Sequence, residues 1–277
     1  MGDLLEAAIL GIVQGLTEFL PISSTGHLVL TEEALGIQDG KFGLQFDAAI
    51  HLGTLAAVLL YFRVTILGLV LAWGRSVSAR DWQQTTDSKL AWLLLLGTIP
   101  AGLAGLFLES TIEDTIREPE VVAIMLIVFS LPMYLAERWG SQQRTLTDIR
   151  PLDALIMGVA QAIALIPGVS RSGITISAAM FDGFKREQAA TFAFLLSAPI
   201  IAAAGGKQVL DIIRGEDGES GATLDVYLVG LITAGVVGYV AIAFLLKFLR
   251  GNPLNVFIVY RIALGIIVLA LVAAGAL

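Results

Sequence analysis

Cysteine is absent from this 277-residue chain, which excludes disulfides, cysteine-ligated metals and thiol catalysis. Charge is scarce: 15% of the residues are Asp, Glu, Lys or Arg, against about 25% in soluble domains. No polar stretch is long enough to fold alone, so a separate soluble domain is excluded. Histidine occurs twice, as His27 and His51. The opening residues, MGDLLEAAIL, lack the basic flank of a secretory signal peptide, and no cleaved leader is expected. The net charge of −7 comes largely from two acidic loops, and nothing marks a nucleic-acid partner.

Apolar residues fill the space these absences leave. They make up 56% of the chain, and mean hydropathy is +0.83. Runs of membrane-spanning length recur from end to end, so the chain reads as an all-α polytopic membrane protein surrounded by membrane lipid. Six segments approach the ~20 residues that a bilayer requires: 46–62, 91–108, 121–137, 190–211, 225–248 and 254–276. The connecting charges alternate in sign. Arg63, Arg75, Arg80 and Lys89 fall in 63–90; Arg138, Arg144 and Arg150 in 138–151; Lys247 and Arg250 flank the 249–253 turn. Between them lie acidic 109–120, with Glu109, Glu113, Asp114, Glu118 and Glu120, and acidic 212–224, with Glu216, Asp217 and Glu219. Basic loops inside and acidic loops outside satisfy the positive-inside rule throughout. The 63–90 loop, with Trp73 and Trp82, is expected to lie along the cytoplasmic interface.

Two apolar regions, 3–35 and 152–182, are too long for one span and are interrupted near the middle, by PISSTG and by PGVSRSG. Each is expected to be a re-entrant helix–break–helix that enters and leaves on one face. Such backbone is tolerated at membrane depth only where protein or a watery cavity surrounds it. The two breaks align at a constant offset without a gap: Gln14 with Gln161, Leu16 with Ile163, Ile22 with Val169, Ser23 with Ser170, Gly26 with Gly173. The prolines, Pro21 and Pro167, miss by one position. The order of elements repeats too, as a re-entrant pair followed by three spans, over 1–140 and again over 150–277. An odd number of crossings per unit requires the second copy to be inserted upside down. The expected fold is therefore six transmembrane helices plus two re-entrant helix pairs in an inverted-topology repeat, with both termini outside and the site where the breaks meet.

Each break precedes a half-helix whose N-terminus points into the membrane, where unpaired N–H groups attract phosphate. Ser23 or Ser24 suits the N-cap of the first and Ser170 that of the second. For Ser23, Thr25 and Ser172, capping alone explains the hydroxyl as well as phosphate binding does. Arg171 is harder to explain by structure, because a cation at this depth costs at least ~2.5–3.5 kcal/mol, and its fork of donors matches phosphate oxygens. Pairing with Glu18 is its structural alternative. Glu18, one turn after Gln14, can hold Mg²⁺ or Ca²⁺ with that amide if the substrate's phosphates complete the shell; it can equally position water or act as a base. His27 falls three residues after Ser24, on the same helical turn, whereas His51 reads as a packing or cavity residue. Arginine, helix N-termini, a metal, a serine or histidine nucleophile and a carboxylate are the parts of phosphoryl transfer, and their depth points to a lipid phosphate.

At these residues the chain resembles the BacA-type undecaprenyl-pyrophosphate phosphatases, the bacitracin resistance protein family. Their signatures are (E/Q)-x-x-x-E leading into P-x-S-S-T-G-H, and a distant P-G-x-S-R-S-x-x-T; here they read QGLTEFLPISSTGH (14–27) and PGVSRSGIT (167–175). FAFLLSAP and YRIALG extend the resemblance over essentially the whole length. It implies hydrolysis of undecaprenyl pyrophosphate to the monophosphate carrier lipid used for peptidoglycan. It also implies dependence on a divalent metal, a multi-pass place in the bacterial plasma (inner) membrane, and a site opening to the periplasmic or outer face. The family's functional positions fall on Gln14, Glu18, Ser24, His27, Ser170, Arg171 and Thr175. The resulting expectation gives catalysis to Glu18, Ser24, His27 and Arg171. Phosphate binding goes to Ser23, Thr25, Ser170, Ser172 and Thr175, and the metal to Gln14 and Glu18. A homodimer is compatible with all of this. Either Ser24 or His27 can attack phosphorus, with Ser24 favoured. A lipid-carrier flippase is the rival class, since the same groups would bind a phosphate headgroup without cleaving it.

Overall fold

The computed structural model describes residues 2–37, 42–115, 118–214 and 222–275. They form twelve α-helices in the order α1 (Asp3–Phe19), α2 (Ser24–Leu35), α3 (Gly43–Tyr61), α4 (Arg63–Ala79), α5 (Thr86–Thr115), α6 (Pro119–Val128), α7 (Ser130–Trp139), α8 (Pro151–Ile163), α9 (Arg171–Phe181), α10 (Arg186–Arg214), α11 (Leu224–Leu249) and α12 (Asn255–Ala273). A 3₁₀ turn, Leu146–Asp148, precedes α8. Among the described residues, five helical stretches are long and apolar enough to cross a membrane: Thr86–Phe107, Pro119–Trp139, Arg186–Lys207, Leu224–Leu249 and Asn255–Ala273. A sixth arises if Gln45–Tyr61 and Arg63–Ala79, bent by 79°, count as one. The chain is an all-α membrane protein.

The expected spans are all helical, with three differences. The 63–90 segment is not a loop over its first part: 63–79 is the helix α4. Its arginines interrupt the apolar run, but arginine is a good helix former, so hydropathy fails there while propensity does not. Ser76 anchors α4 by accepting the Trp92 indole N–H of α5 at 3.0 Å. Second, 121–137 is broken at Phe129 into α6 and α7. Pro132 has no N–H for the Val128 carbonyl, and its ring crowds that oxygen, which opens the helix there. Third, α5 and α10 run past the expected span ends, to Thr115 and Arg214. The side chains of Glu109, Glu113 and Asp114, and residues Glu216, Asp217 and Glu219, lie outside the described residues.

Small residues let the broken helices approach their neighbours at backbone distance. A Cβ on Gly11 of α1 would stand 2.6 Å from the Gly230 carbonyl of α11, and one on Gly158 of α8 would stand 2.3 Å from the Gly97 carbonyl of α5. In a bilayer, where apolar burial gives no net drive, such close van der Waals packing is what joins helices. The pairing crosses the chain: α1, from the first half, lies on α11 of the second, and α8, from the second, lies on α5 of the first.

The helix–break–helix over 152–182 brings its two ends together at one side chain. Arg144 donates to the carboxylates of both Asp153, in the first turn of α8, and Asp182, at the end of α9. Its guanidinium also lies 4.4 Å from the Phe184 ring centroid. Both ends of the segment therefore meet one arginine on one side. In the first region, Ala7 and Leu10 of α1 share an apolar cluster with Leu28 of α2 and with Ile37 and Phe42 just beyond it.

Candidate active site

The two breaks have one local geometry. Ser23 (φ 77, ψ 102) is the N-cap of α2 and its Oγ accepts from Gly26 N at 3.4 Å. Ser170 (φ 75, ψ 108) is the N-cap of α9 and its Oγ accepts from Gly173 N at 3.1 Å. Non-glycine residues rarely take positive φ, and doing so costs on the order of 1–3 kcal/mol. Of the four non-glycine residues that take it among the described residues, two are these serines, one in each break. The same serine type at both places offsets part of the cost by capping a helix that starts without a preceding turn.

These breaks line one cavity of about 30 Å³, bordered by Thr17, Glu18, Ser23, Ser24 and Thr25 from the first and by Ala164, Ile166, Gly168, Ser170 and Arg171 from the second. That volume has room for about two waters. Glu18 is the centre of its contacts. Its Oε1 pairs with Arg171 Nη2 at 3.0 Å. Its Oε2 accepts from Ser24 Oγ at 2.7 Å and from Gln14 Nε2 at 3.2 Å. Glu18 is 3% exposed at the side chain and Arg171 24%, so the arginine is the partner with room to move. Ser172 Oγ donates to the Leu20 carbonyl at 3.0 Å and stitches the second break to the first. Ser170 and Ser172 lie 3.3 Å apart at their hydroxyls.

Four expected site residues are not among those lining this cavity: Gln14 and Ser172, which bond to its rim, and Thr175 and His27. Thr175 is buried with its hydroxyl unpartnered and is not among the lining residues. His27 shares the first turn of α2 with Ser24, but both of its ring nitrogens are engaged elsewhere. Nδ1 lies 2.7 Å from the Ser23 carbonyl, which can only accept, so Nδ1 carries a proton. Nε2 lies 2.7 Å from the Tyr260 hydroxyl, and the two rings stack with centroids 5.6 Å apart. In the neutral ring Tyr260 donates and Nε2 accepts. The serine hydroxyl therefore meets Glu18, and the histidine meets a tyrosine of α12. His51 bonds the Asp47 carbonyl one turn back along α3.

Sequence reasoning passed over Tyr260 and Arg261. Arg261 is fully buried, and its Nη2 donates at 3.1 Å to the carbonyl of Gly168, which borders the cavity at φ 89. A signal was available: a lone arginine inside the 19-residue apolar helix Asn255–Ala273.

A hydroxyl donated to a carboxylate, an arginine opposite, and two half-helix N-termini around a polar cavity can carry out nucleophilic attack on a phosphoryl group. Among the described residues no group of three or more His, Asp or Glu side chains is placed to hold a metal. Gln14 nevertheless leaves its Oε1 buried and without a hydrogen-bond partner beside Glu18, an oxygen that fits a hard cation.

The profile of the family described as "Bacitracin resistance protein BacA" matches residues 7–267. A Myxococcus xanthus protein named undecaprenyl-diphosphatase is 46% identical over 275 residues, covering 99% of this chain and 91% of its own length. Proteins of the same name from Desulforudis audaxviator and Thermobifida fusca are 45% identical over 266 residues and 43% identical over 275. They cover 96% and 99% of this chain, and 97% and 92% of their own.

Proposed function

Because this chain belongs to the bacitracin resistance protein BacA family, we propose that it hydrolyses undecaprenyl pyrophosphate to undecaprenyl phosphate and inorganic phosphate. The observation that carries the reading is the Ser24 hydroxyl donating to the Glu18 carboxylate at 2.7 Å, with Arg171 on the carboxylate's other oxygen. The cavity is too small for a phosphate group, so the headgroup enters by drawing the Arg171 fork off Glu18 and onto its own oxygens. This releases one Glu18 oxygen and brings cationic charge to the phosphorus in one movement.

Ser24 Oγ then bonds to the terminal phosphorus as the bridging P–O bond to undecaprenyl phosphate breaks. Glu18 takes the hydroxyl proton and yields it to the departing lipid phosphate. A water attacks the phosphoserine next; Glu18 accepts its proton and returns it to Ser24 as inorganic phosphate leaves. Arg171, Ser170 and the first-turn N–H groups of α2 and α9 hold the charge that develops on the phosphoryl oxygens. Ser23, Thr25, Ser172 and Thr175 keep the two breaks in shape around it. A divalent cation, Mg²⁺ or Ca²⁺, would be held by Gln14 Oε1 and Glu18 with the pyrophosphate oxygens, and would supply Lewis-acid neutralisation of the phosphates.

The place we assign is the bacterial plasma membrane, with the cavity opening outward and residues 1–140 and 150–277 as inverted repeats. The matched Ser23 and Ser170 backbones and the crossed packing of α1 on α11 and α8 on α5 support the repeat. Purified protein in detergent should release inorganic phosphate from undecaprenyl pyrophosphate and should stop when the metal is chelated. A headgroup-binding flippase would release none.

A further inference from the structure

Tyr260 and Arg261 are consecutive on α12, and each holds a different break. Tyr260 bonds and stacks on His27, one turn into α2. Arg261 bonds the carbonyl of Gly168, two residues before the Ser170 cap of α9. Its other donors go to Leu126 O and Ser130 Oγ, both at 3.3 Å, and to Met125 O at 3.4 Å. Nη1 has no partner, and among the described residues no carboxylate pairs with this guanidinium. A fully buried, uncompensated cation is costly in a bilayer and marks a function by default.

The structural alternative has weight. Pro132 opens the α6–α7 helix, and Arg261 satisfies carbonyls beside that opening. Stapling the kink explains three of the four contacts. It does not explain the bond to Gly168, on another element, nor a cation where a neutral amide would cap the same carbonyls at lower cost. It also leaves out the neighbouring Tyr260.

We propose that Tyr260 and Arg261 are positioning residues for the phosphoryl transfer. Arg261 fixes the Gly168 turn that presents Ser170 and Arg171, and Tyr260 fixes His27 behind Ser24. Because they are adjacent on one helix, they set the separation of the two breaks, and so the distance over which Glu18, Ser24 and Arg171 act on phosphorus. The uncompensated charge of Arg261, behind the glycine wall, adds a fixed attraction for the phosphate anion.

This rests on the hydrolase reading above, and the test separates the two. If wild-type protein releases no phosphate from undecaprenyl pyrophosphate, it is the hydrolase reading that fails. With active wild type, Tyr260→Phe, Arg261→Lys and Arg261→Gln are compared for kcat, KM and thermal unfolding in detergent. Tyr260 is 42% exposed, so its phenylalanine variant should fold as wild type does. A misplacement acting from outside the reacting groups can cost about 100-fold; we expect a loss of about that size in kcat for Arg261→Gln and about tenfold for Tyr260→Phe, with KM nearly unchanged in both. Arg261→Lys, which keeps the charge and one donor, should recover part of the loss. A kink staple alone would lower the unfolding temperature and leave kcat of the folded protein at the wild-type value, which would overturn the proposal. So would a loss confined to KM. If neither Arg261 variant folds, Tyr260→Phe decides: wild-type kcat there overturns the positioning role, and a tenfold loss at unchanged KM upholds it.

Discussion

Ser23 and Ser170 share one backbone conformation, φ 77 with ψ 102 in the first and φ 75 with ψ 108 in the second, in a region that side chains avoid. Each caps the half-helix behind it through the amide three residues on, at Gly26 and Gly173. The agreement means that one way of breaking a helix and capping the next has been used twice. Two such turns, facing each other, enclose polar groups that neither encloses alone.

The first prediction concerns the Ser24–Glu18 pair. Ser24→Ala should abolish turnover, and acid quench of wild type in mid-reaction should trap phosphate on Ser24. Glu18→Gln removes the proton acceptor and should cost about 10²–10⁴-fold. Gln14→Ala, which removes a neutral donor to that carboxylate and the uncharged oxygen assigned to the cation, should cost less, about 10–100-fold. Label recovered on His27, or Gln14→Ala proving the more damaging, would reverse these roles.

Arg171 is predicted to matter through its fork. Arg171→Ala should lower kcat by about 10²–10³-fold, as loss of one transition-state donor does. Arg171→Lys should be nearly as impaired, since an ammonium cannot bond two phosphate oxygens in one plane. Wild-type turnover in the lysine variant would remove bidentate binding from the mechanism. Both variants should still insert and purify, because losing the arginine leaves Glu18 bonded to Ser24 and Gln14.

Gly168 provides a test of the turn itself. At φ 89 it needs glycine, and a Cβ there would stand 2.6 Å from the Val122 carbonyl of α6. Gly168→Ala should therefore destabilise by about 1–3 kcal/mol from backbone strain alone, visible as a lower unfolding temperature. It should also inactivate, because the displaced carbonyl is the one that Arg261 holds. A stable and fully active alanine variant would contradict both claims.

Topology can be tested cleanly because no native cysteine interferes. Single cysteines at Glu113 and Asp217 should be labelled from outside, and cysteines at Arg80 and Thr145 should be protected. A cysteine at Gly2 and one appended after Leu277 should both react with an impermeant maleimide in intact spheroplasts. Protection at Gly2 would make 3–35 a true span and end the inverted relation of the two breaks.

Much of this is readable in the sequence because the membrane penalises disorder in the pattern. Proline followed by serines and glycine has no place in an apolar run unless the helix breaks, so both breaks are legible as text. Arg171 and Glu18 are legible for a similar reason: each charge at that depth demands a partner, and the 3.0 Å pair supplies it. What cannot be read is contact between distant positions. His27 and Tyr260 are separated by 233 residues, and nothing local to either predicts that they bond. That contact redirects His27 from Ser24 to α12. Hydropathy misses the helix α4 because it judges charge and ignores propensity. The Arg144 clamp stays hidden because nothing local to Arg144 predicts that it meets Asp153 and Asp182.

The crossed packing of the broken helices has a consequence for how the protein is made. Helix α1 leaves the ribosome long before α11, on which it finds its glycine-lined seat. Until residues 224–249 have emerged, Gly11 and Gly15 lack the α11 backbone they pack against, and Glu18 must wait for Arg171. Segment-by-segment insertion therefore cannot complete this protein. The seat of α1 is completed only after α11 has been translated. A ribosome stalled before α11 would leave a membrane-bound fragment in which every residue of the first break is present and the α11 wall behind α1 is missing.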